Sequence, residues 1–464
     1  MQELGLIPLL CVSSLSGTAL GFSAGLVPGL HMNNIAAAMT AYSAGVVGAF
    51  AFFGASVGDV AAGLLIASFL SSALVAHMFA EAVTSTYLGI PAGDVVSVLP
   101  AHRLAKAGLG RAAVEASADG SLAGIISSVI VLFPLCLIMG DPVGLYDHLR
   151  GIMGFITLVF SSILVASDAL PSLRHRHRVR EALIQISSSA AVFLTAGLLG
   201  YIVLETQYFA CDLPDFPWNR LGFVPRSSLL LPMFAGLFGI PSLLLSLGSR
   251  NVMNAPGDGL GRSFGPRSRD ILLSLAGGVL VGWLPGMTSG SSATICSPAV
   301  KESSRKEDID ASLRFIWLYA AISSAGAVFA VGALFVILRA RSGSMDAAAL
   351  FLGMGEDGQP WTTHLPLMFA ILLSMVLSAM VSHAILSSLR PRLGSLHGFL
   401  CSRRVALGSL LFICLLSVAL TGSRGALLLA TSASLGVLPP QIGVRRIQLM
   451  GCLLVPITIM ALGR

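Results

Sequence analysis

The chain has 464 residues, of which 55% are hydrophobic and only 11% charged, with a mean hydropathy of +0.86 and a formal charge of +6. Soluble domains carry about 25% charged residues, so this chain lacks the polar surface to enclose its apolar mass in water. A water-soluble enzyme, a disordered protein and a nucleic-acid binder are excluded. The composition predicts an all-α polytopic protein of the cell membrane, multi-pass, with about 10–12 membrane segments at roughly 20 residues per span.

Apolar runs begin at about 5–30, 35–57 and 60–80. No basic stretch precedes the first, so a cleaved signal peptide is not expected. Further runs lie near 120–139, 151–170, 182–204, 227–247, 270–300, 313–338, 366–387, 403–421, 424–438 and 447–462. Basic loops at 102–111, 173–180, 250–269, 301–314, 390–404 and 445–446 mostly alternate with neutral or acidic loops at 140–148, 206–220 and 342–364. The basic set reads as cytoplasmic; Arg339 and Arg341 fall on the wrong side of that scheme. Two basic loops flank the run 270–300, which must therefore enter and leave by one face, as a re-entrant hairpin. The expected organisation is a first transmembrane repeat over 1–248 with a cytoplasmic loop at 90–118, a linker at 249–269, and a second repeat over 270–464. The seven cysteines are scattered without a CxxC pair, which predicts neither a disulfide framework nor a metal site.

The repeat is visible in the residues. GFSAGLVPG at 21–29 and GVLVGWLPG at 278–286 share the pattern G-x3-G-x2-P-G. Glycines recur every four residues at Gly17, Gly21, Gly25 and Gly29, and again at Gly278, Gly282, Gly286 and Gly290. That spacing strips one helix face of side chains so that another backbone can approach. Proline then interrupts the helix. Each Pro-Gly leads into a polar stretch, Leu30-His31-Met32-Asn33-Asn34 in one copy and Met287 through Thr294 in the other. Backbone freed from helix at membrane depth must line a cavity or be buried in protein, and the half-helix that follows points partly positive N–H groups at it. Paired interruptions in two halves are the sequence mark of a transporter's substrate site. The candidate substrate-binding residues are Gly25, Pro28, Gly29, His31, Asn33 and Asn34, with Gly282, Pro285, Gly286, Thr288, Ser289, Gly290, Ser291 and Ser292. The alternative is a pair of ordinary glycine-packed helices with proline kinks. Neither Pro-Gly segment contains an arginine to neutralise an anion.

Three acidic or basic residues lie in or beside apolar runs. Asp59 is either an ion-coupling carboxylate or a hydrated turn residue. His77 and Glu81 are one helical turn apart and face the same way, as a proton relay or an interfacial polar patch. The coupling ion is then Na⁺ or H⁺, and no other cofactor is expected.

These segments resemble the large membrane subunit of the tripartite tricarboxylate transporters, the TctA family, in its shorter archaeal-type branch. The likeness rests on both Pro-Gly motifs and on Gly436 through Arg446 (GVLPPQIGVRR) with Met450-Gly451. It is supported by Gly89 through Asp94 with Leu104 through Gly108, by Phe234 through Ile240, and by Phe335 through Gly343. Here Ala92 follows Pro91 where the family has glycine, and Pro100-Ala101 stands near its Asp-Gly. The resemblance implies secondary active transport of an organic anion, a tricarboxylate in the family at large, driven by an ion gradient. It leaves open whether a small membrane subunit or a binding protein assists, and the glycine faces suit a homodimer as well as an internal core. A polyprenyl-phosphate translocase is the alternative, because Pro285 through Ser291 stands one residue out of register with that family's Pro-Gly-x-Ser-Gly-Gly-Thr and a lipid phosphate suits the same helix N-termini. An enzyme is not expected: no base is matched to Ser289, Ser56 replaces the glycine of GxGD before Gly58-Asp59, and no phosphate-binding GxxxxGK[ST] loop exists.

Overall fold

The computed structural model describes residues 2–27, 30–41, 43–53, 58–88, 98–169, 179–205, 229–248, 265–284, 286–296, 309–354, 360–389, 392 and 403–463. Among them there are helices and turns and no strand. The first half contains α1 (Gln2–Gly25), α2 (Met32–Ala41), α3 (Ser43–Phe53), α4 (Gly58–Leu88), α5 (Val98–Lys106), α6 (Gly110–Met139), α7 (Leu145–Ala166) and α8 (Val179–Glu205). Then come α9 (Leu230–Phe234), a π-helical turn at Ala235–Gly239, and α10 (Ile240–Gly248). The second half contains α11 (Ser268–Trp283), α12 (Ser289–Cys296), α13 (Ile309–Ile337), α14 (Gly343–Leu352), α15 (Leu365–Leu389), α16 (Arg403–Gln441) and α17 (Gly451–Leu462).

Seven helical stretches among the described residues are long and apolar enough to cross a bilayer. The expected 10–12 came from the hydrophobic content of the whole chain, and several apolar runs are not single rods. Run 35–57 is divided between short helices, run 270–300 is divided between α11 and α12, and runs 403–421 and 424–438 fall in one helix broken at Gly422 (φ 65°, ψ −159°). The segment 90–118, read as a loop, is mostly helical where described: it holds α5, a short turn and the first turns of α6.

The centre of the bundle is α4 and α13, whose apolar windows are 89% and 83% buried, against 33% for α6 and α7. Glycine sets this packing. A Cβ on Gly21 would overlap the Ala73 carbonyl, and one on Gly282 would come within 2.5 Å of the Phe329 Cβ. The first glycine stripe therefore seats α1 on α4, and the second seats α11 on α13. Contacts climb in step along each pair, Gly17 with Phe69 and Gly25 with Ala80, Gly278 with Ala325 and Gly282 with Phe329, so each pair is parallel. Gly120 meets Trp317 and Gly332 meets Leu132, so α6 runs parallel to α13; Tyr87, ending α4, meets Gly110, beginning α6, so α4 runs the other way. It follows that α1 and α11 point in opposite directions. Buried hydroxyls add cross-links between helices: the Ser14 and Ser72 oxygens lie 2.8 Å apart and each 3.1 Å from the Ser374 carbonyl, so one hydroxyl donates to the other and the second donates to that carbonyl, and Ser378 donates to the Ser72 carbonyl at 2.7 Å.

A second apolar cluster joins α7, α8, the π-helical turn, α16 and α17. Its polar clasp is Asp168, which accepts from Arg445, from Ser189 Oγ at 2.6 Å and from Gln448 Nε2 at 3.1 Å.

Candidate functional site

Both interruptions are present as helix breaks. Helix α1 stops at Gly25 and α2 starts at Met32; α11 stops at Trp283 and α12 starts at Ser289. Pro28, Gly29 and Pro285 lie outside the described residues, and Asn34 is placed only as α2 backbone. After each break the chain turns back. His31 stacks edge-on against His77 with ring centroids 5.4 Å apart, while Ala36, further along α2, packs in one cluster with Ile66 and Leu70. On the other side Ser292 Oγ donates to the Gly277 carbonyl at 2.8 Å and Cys296 Sγ to the Leu273 carbonyl at 3.8 Å, so α12 retraces α11.

The second break is closed on itself. Thr288 N donates to Ser291 Oγ at 2.9 Å and Ser291 N to Thr288 Oγ1 at 3.2 Å, a reciprocal cap on the first turn of α12. Thr288, Ser291 and Ser292, read from the sequence as donors for a ligand, are thus engaged with their own hairpin. Ser289 stays half-buried, Gly290 is buried in α12, and Gly286 takes φ +76°, a conformation that favours glycine. At its base this hairpin is pinned by Asp270, fully buried, which receives Arg314 Nε at 2.8 Å and Nη2 at 2.9 Å.

The first break keeps polar atoms in reserve. Asn33 N donates to His31 Nδ1 at 3.1 Å, which fixes Nδ1 as an acceptor. Asn33 Oδ1 is buried without a hydrogen-bond partner. His77 is buried; the Gly21 carbonyl lies close to it, but neither ring nitrogen makes a well-formed hydrogen bond. Glu81 Oε2 stands 3.8 Å from His77 Nε2, on the same helix face as the sequence predicts. Glu81 also reaches a cavity of about 50 Å³, lined with Ser85, Ser117, Ser121 and Ser323. A water needs about 10–15 Å³ by a comparable measure, so the cavity has room to hydrate that carboxylate. Asp59 does not join this group. It lies in the first turn of α4, about 27 Å from His77 along the axis at 1.5 Å per residue.

One segment bridges the two breaks. Beyond α13 the chain reverses at Leu338 (φ 51°) and runs through Arg341 into α14, capped by Ser342, whose Oγ accepts from Met345 N at 3.3 Å. Arg341 Nη2 donates to the Trp283 carbonyl, the last of α11, and to Tyr146 Oη at 3.3 Å. Two residues on, a Cβ on Gly343 would stand 3.3 Å from Asn33 Cβ, Cγ and Oδ1. The N-terminal ends of α2 and α14 therefore meet at Asn33 and Gly343, next to a guanidinium tied to the second break. Sequence reasoning missed Arg341 as a site residue. Its signal was the position that broke the loop-charge alternation.

The class is a polytopic helical membrane protein with two interrupted helices. A profile of the tripartite tricarboxylate transporter TctA family matches residues 11–451, and the chain belongs to that family. It is a multi-pass membrane protein. An uncharacterized protein of Methanocaldococcus jannaschii, MJ1079, is 26% identical over 182 residues, covering 39% of this chain and 38% of that protein. The chain thus matches little more than a third of that relative's length, and the archaeal-type branch has only this partial support. No solved structure matches.

Proposed function

We propose that the chain moves an organic anion of the carboxylate class across the membrane by alternating access around the two broken hairpins, driven by an ion gradient. One observation carries the mechanism. The hairpins α1–α2 and α11–α12 fold back from opposite ends of the bundle, since α1 and α11 run in opposite directions. Oppositely oriented broken helices at a shared site allow either face to open while the other stays shut. The ion enters through Glu81 and His77: Glu81 lines a small cavity and stands 3.8 Å from the buried His77 imidazole, which stacks on His31 at the first break. Membership of the family also fits an accessory small membrane subunit or binding protein as partner.

The test is uptake by proteoliposomes containing the full chain. Succinate, citrate and a polyprenyl phosphate are offered with a Na⁺ gradient, a proton gradient or neither. The expected result is carboxylate uptake accelerated by one of the two gradients. Glu81→Gln and His77→Gln should retain carboxylate binding and lose that acceleration. Movement of the polyprenyl phosphate without carboxylate uptake would replace this reading with lipid translocation.

A further inference from the structure

An arginine that satisfies no carboxylate is costly inside a membrane protein, and it marks a functional position. Among the described residues no acidic side chain pairs with Arg341. Its two hydrogen bonds both use Nη2, and Nε is buried without a partner. Holding the end of α11 accounts for Nη2 and leaves the rest of the guanidinium unexplained. The segments that meet here carry groups in the same condition: Trp283, whose carbonyl Arg341 holds, Ser344, three residues further along, and Asn33, against Gly343. Trp283 Nε1 and Ser344 Oγ belong to side chains buried to about 99% or more and have no partner, and Asn33 Oδ1 is unpaired beside Gly343. The first turns of α2 and α14 bring backbone N–H groups and the positive ends of two helix dipoles to the same place.

We infer that Arg341 is the fixed positive charge of the substrate site and holds one carboxylate of the cargo beside the meeting N-termini of α2 and α14. The inference rests on the carboxylate reading above and deepens it. With Nη2 spent on Trp283 and Tyr146, the guanidinium still brings a fixed positive charge and its Nη1 donors to a carboxylate. One such charge compensates one carboxylate. A fully ionised tricarboxylate would leave about two charges against helix N-termini and neutral groups alone, so succinate should bind more tightly than citrate at neutral pH.

The experiment measures equilibrium binding of labelled succinate and citrate to the purified full chain. The expected order is succinate tighter than citrate. Replacing Arg341 by Gln should weaken succinate about 10- to 100-fold, the effect of a charge-assisted hydrogen bond, and R341K should recover part of the loss. Asn33→Asp leaves Arg341 in place and adds a competing negative charge; it too should weaken succinate, and it decides the matter if R341Q does not assemble. Wild-type binding that neither R341Q nor N33D changes would overturn the inference and leave carboxylate transport standing. A wild-type chain that binds neither acid would overturn both.

Discussion

At the second break the hydroxyls of Thr288 and Ser291 cap each other's backbone, and Ser292 ties one arm of the hairpin to the other. At the first break Asn33 Oδ1 has no partner, His31 lies against His77, and the chain approaches Arg341 through Gly343. The two interruptions share a sequence pattern and differ in how their polar atoms are satisfied. One is pinned and satisfies its own hydroxyls. The other leaves a buried amide oxygen unpaired. Polar residues near a proline break therefore do not by themselves mark a binding surface; their hydrogen-bond partners decide it.

This difference can be broken at its strongest point. Asp270 is fully buried, caps α11 through Arg267 N at 3.0 Å, and carries the Arg314 pair. Asp270→Ala strands a guanidinium and should cost about 3–5 kcal/mol, read as a large fall in melting temperature and in the yield of monodisperse protein. The corresponding loss at the first hairpin is smaller, because Ser14, Ser72 and Ser378 contribute neutral hydrogen bonds of about 1 kcal/mol each.

A smaller effect sharpens the functional side. Gly286 holds a positive φ, and an added Cβ would stand 2.5 Å from Leu454 Cδ2. Gly286→Leu should cost about 1–2 kcal/mol in backbone strain, leave the chain assembled on size exclusion, and abolish uptake because the second break cannot shift against α17. Wild-type uptake by that variant would remove the second break from the transport cycle. The smallest expected effect is at Thr288. Removing its cap with Thr288→Val should lower stability by about 1 kcal/mol with succinate affinity unchanged; a loss of affinity at wild-type stability would show that Thr288 contacts the cargo.

The sequence carried the architecture further than the site. Composition alone required a membrane bundle. The glycine stripes foretold two close helix pairs, and within the run 270–300 α12 lies back along α11. Periodicity placed His77 and Glu81 on one face. What it left out was convergence over distance. Arg341 lies 58 residues from Trp283 and 195 from Tyr146 in the chain, and nothing in local spacing brings them together. Nor does spacing reveal whether a serine's hydroxyl is free, because a Ser or Thr beside a helix start serves as cap and as ligand equally well. Asp59 looked equivalent to Glu81 as a carboxylate in apolar surroundings, and only the length of α4 separates them.

Thiol accessibility reads the shared, alternately open site most directly. Asn33→Cys and Ser289→Cys are made singly in a chain stripped of its seven native cysteines, reconstituted, and exposed to a membrane-impermeant thiol reagent from either side with and without succinate. Each position should react from both faces, with succinate slowing both. Reaction of the Asn33→Cys variant from one face alone and of the Ser289→Cys variant from the other alone, unchanged by succinate, would mean two separate surfaces with no common cavity between the breaks.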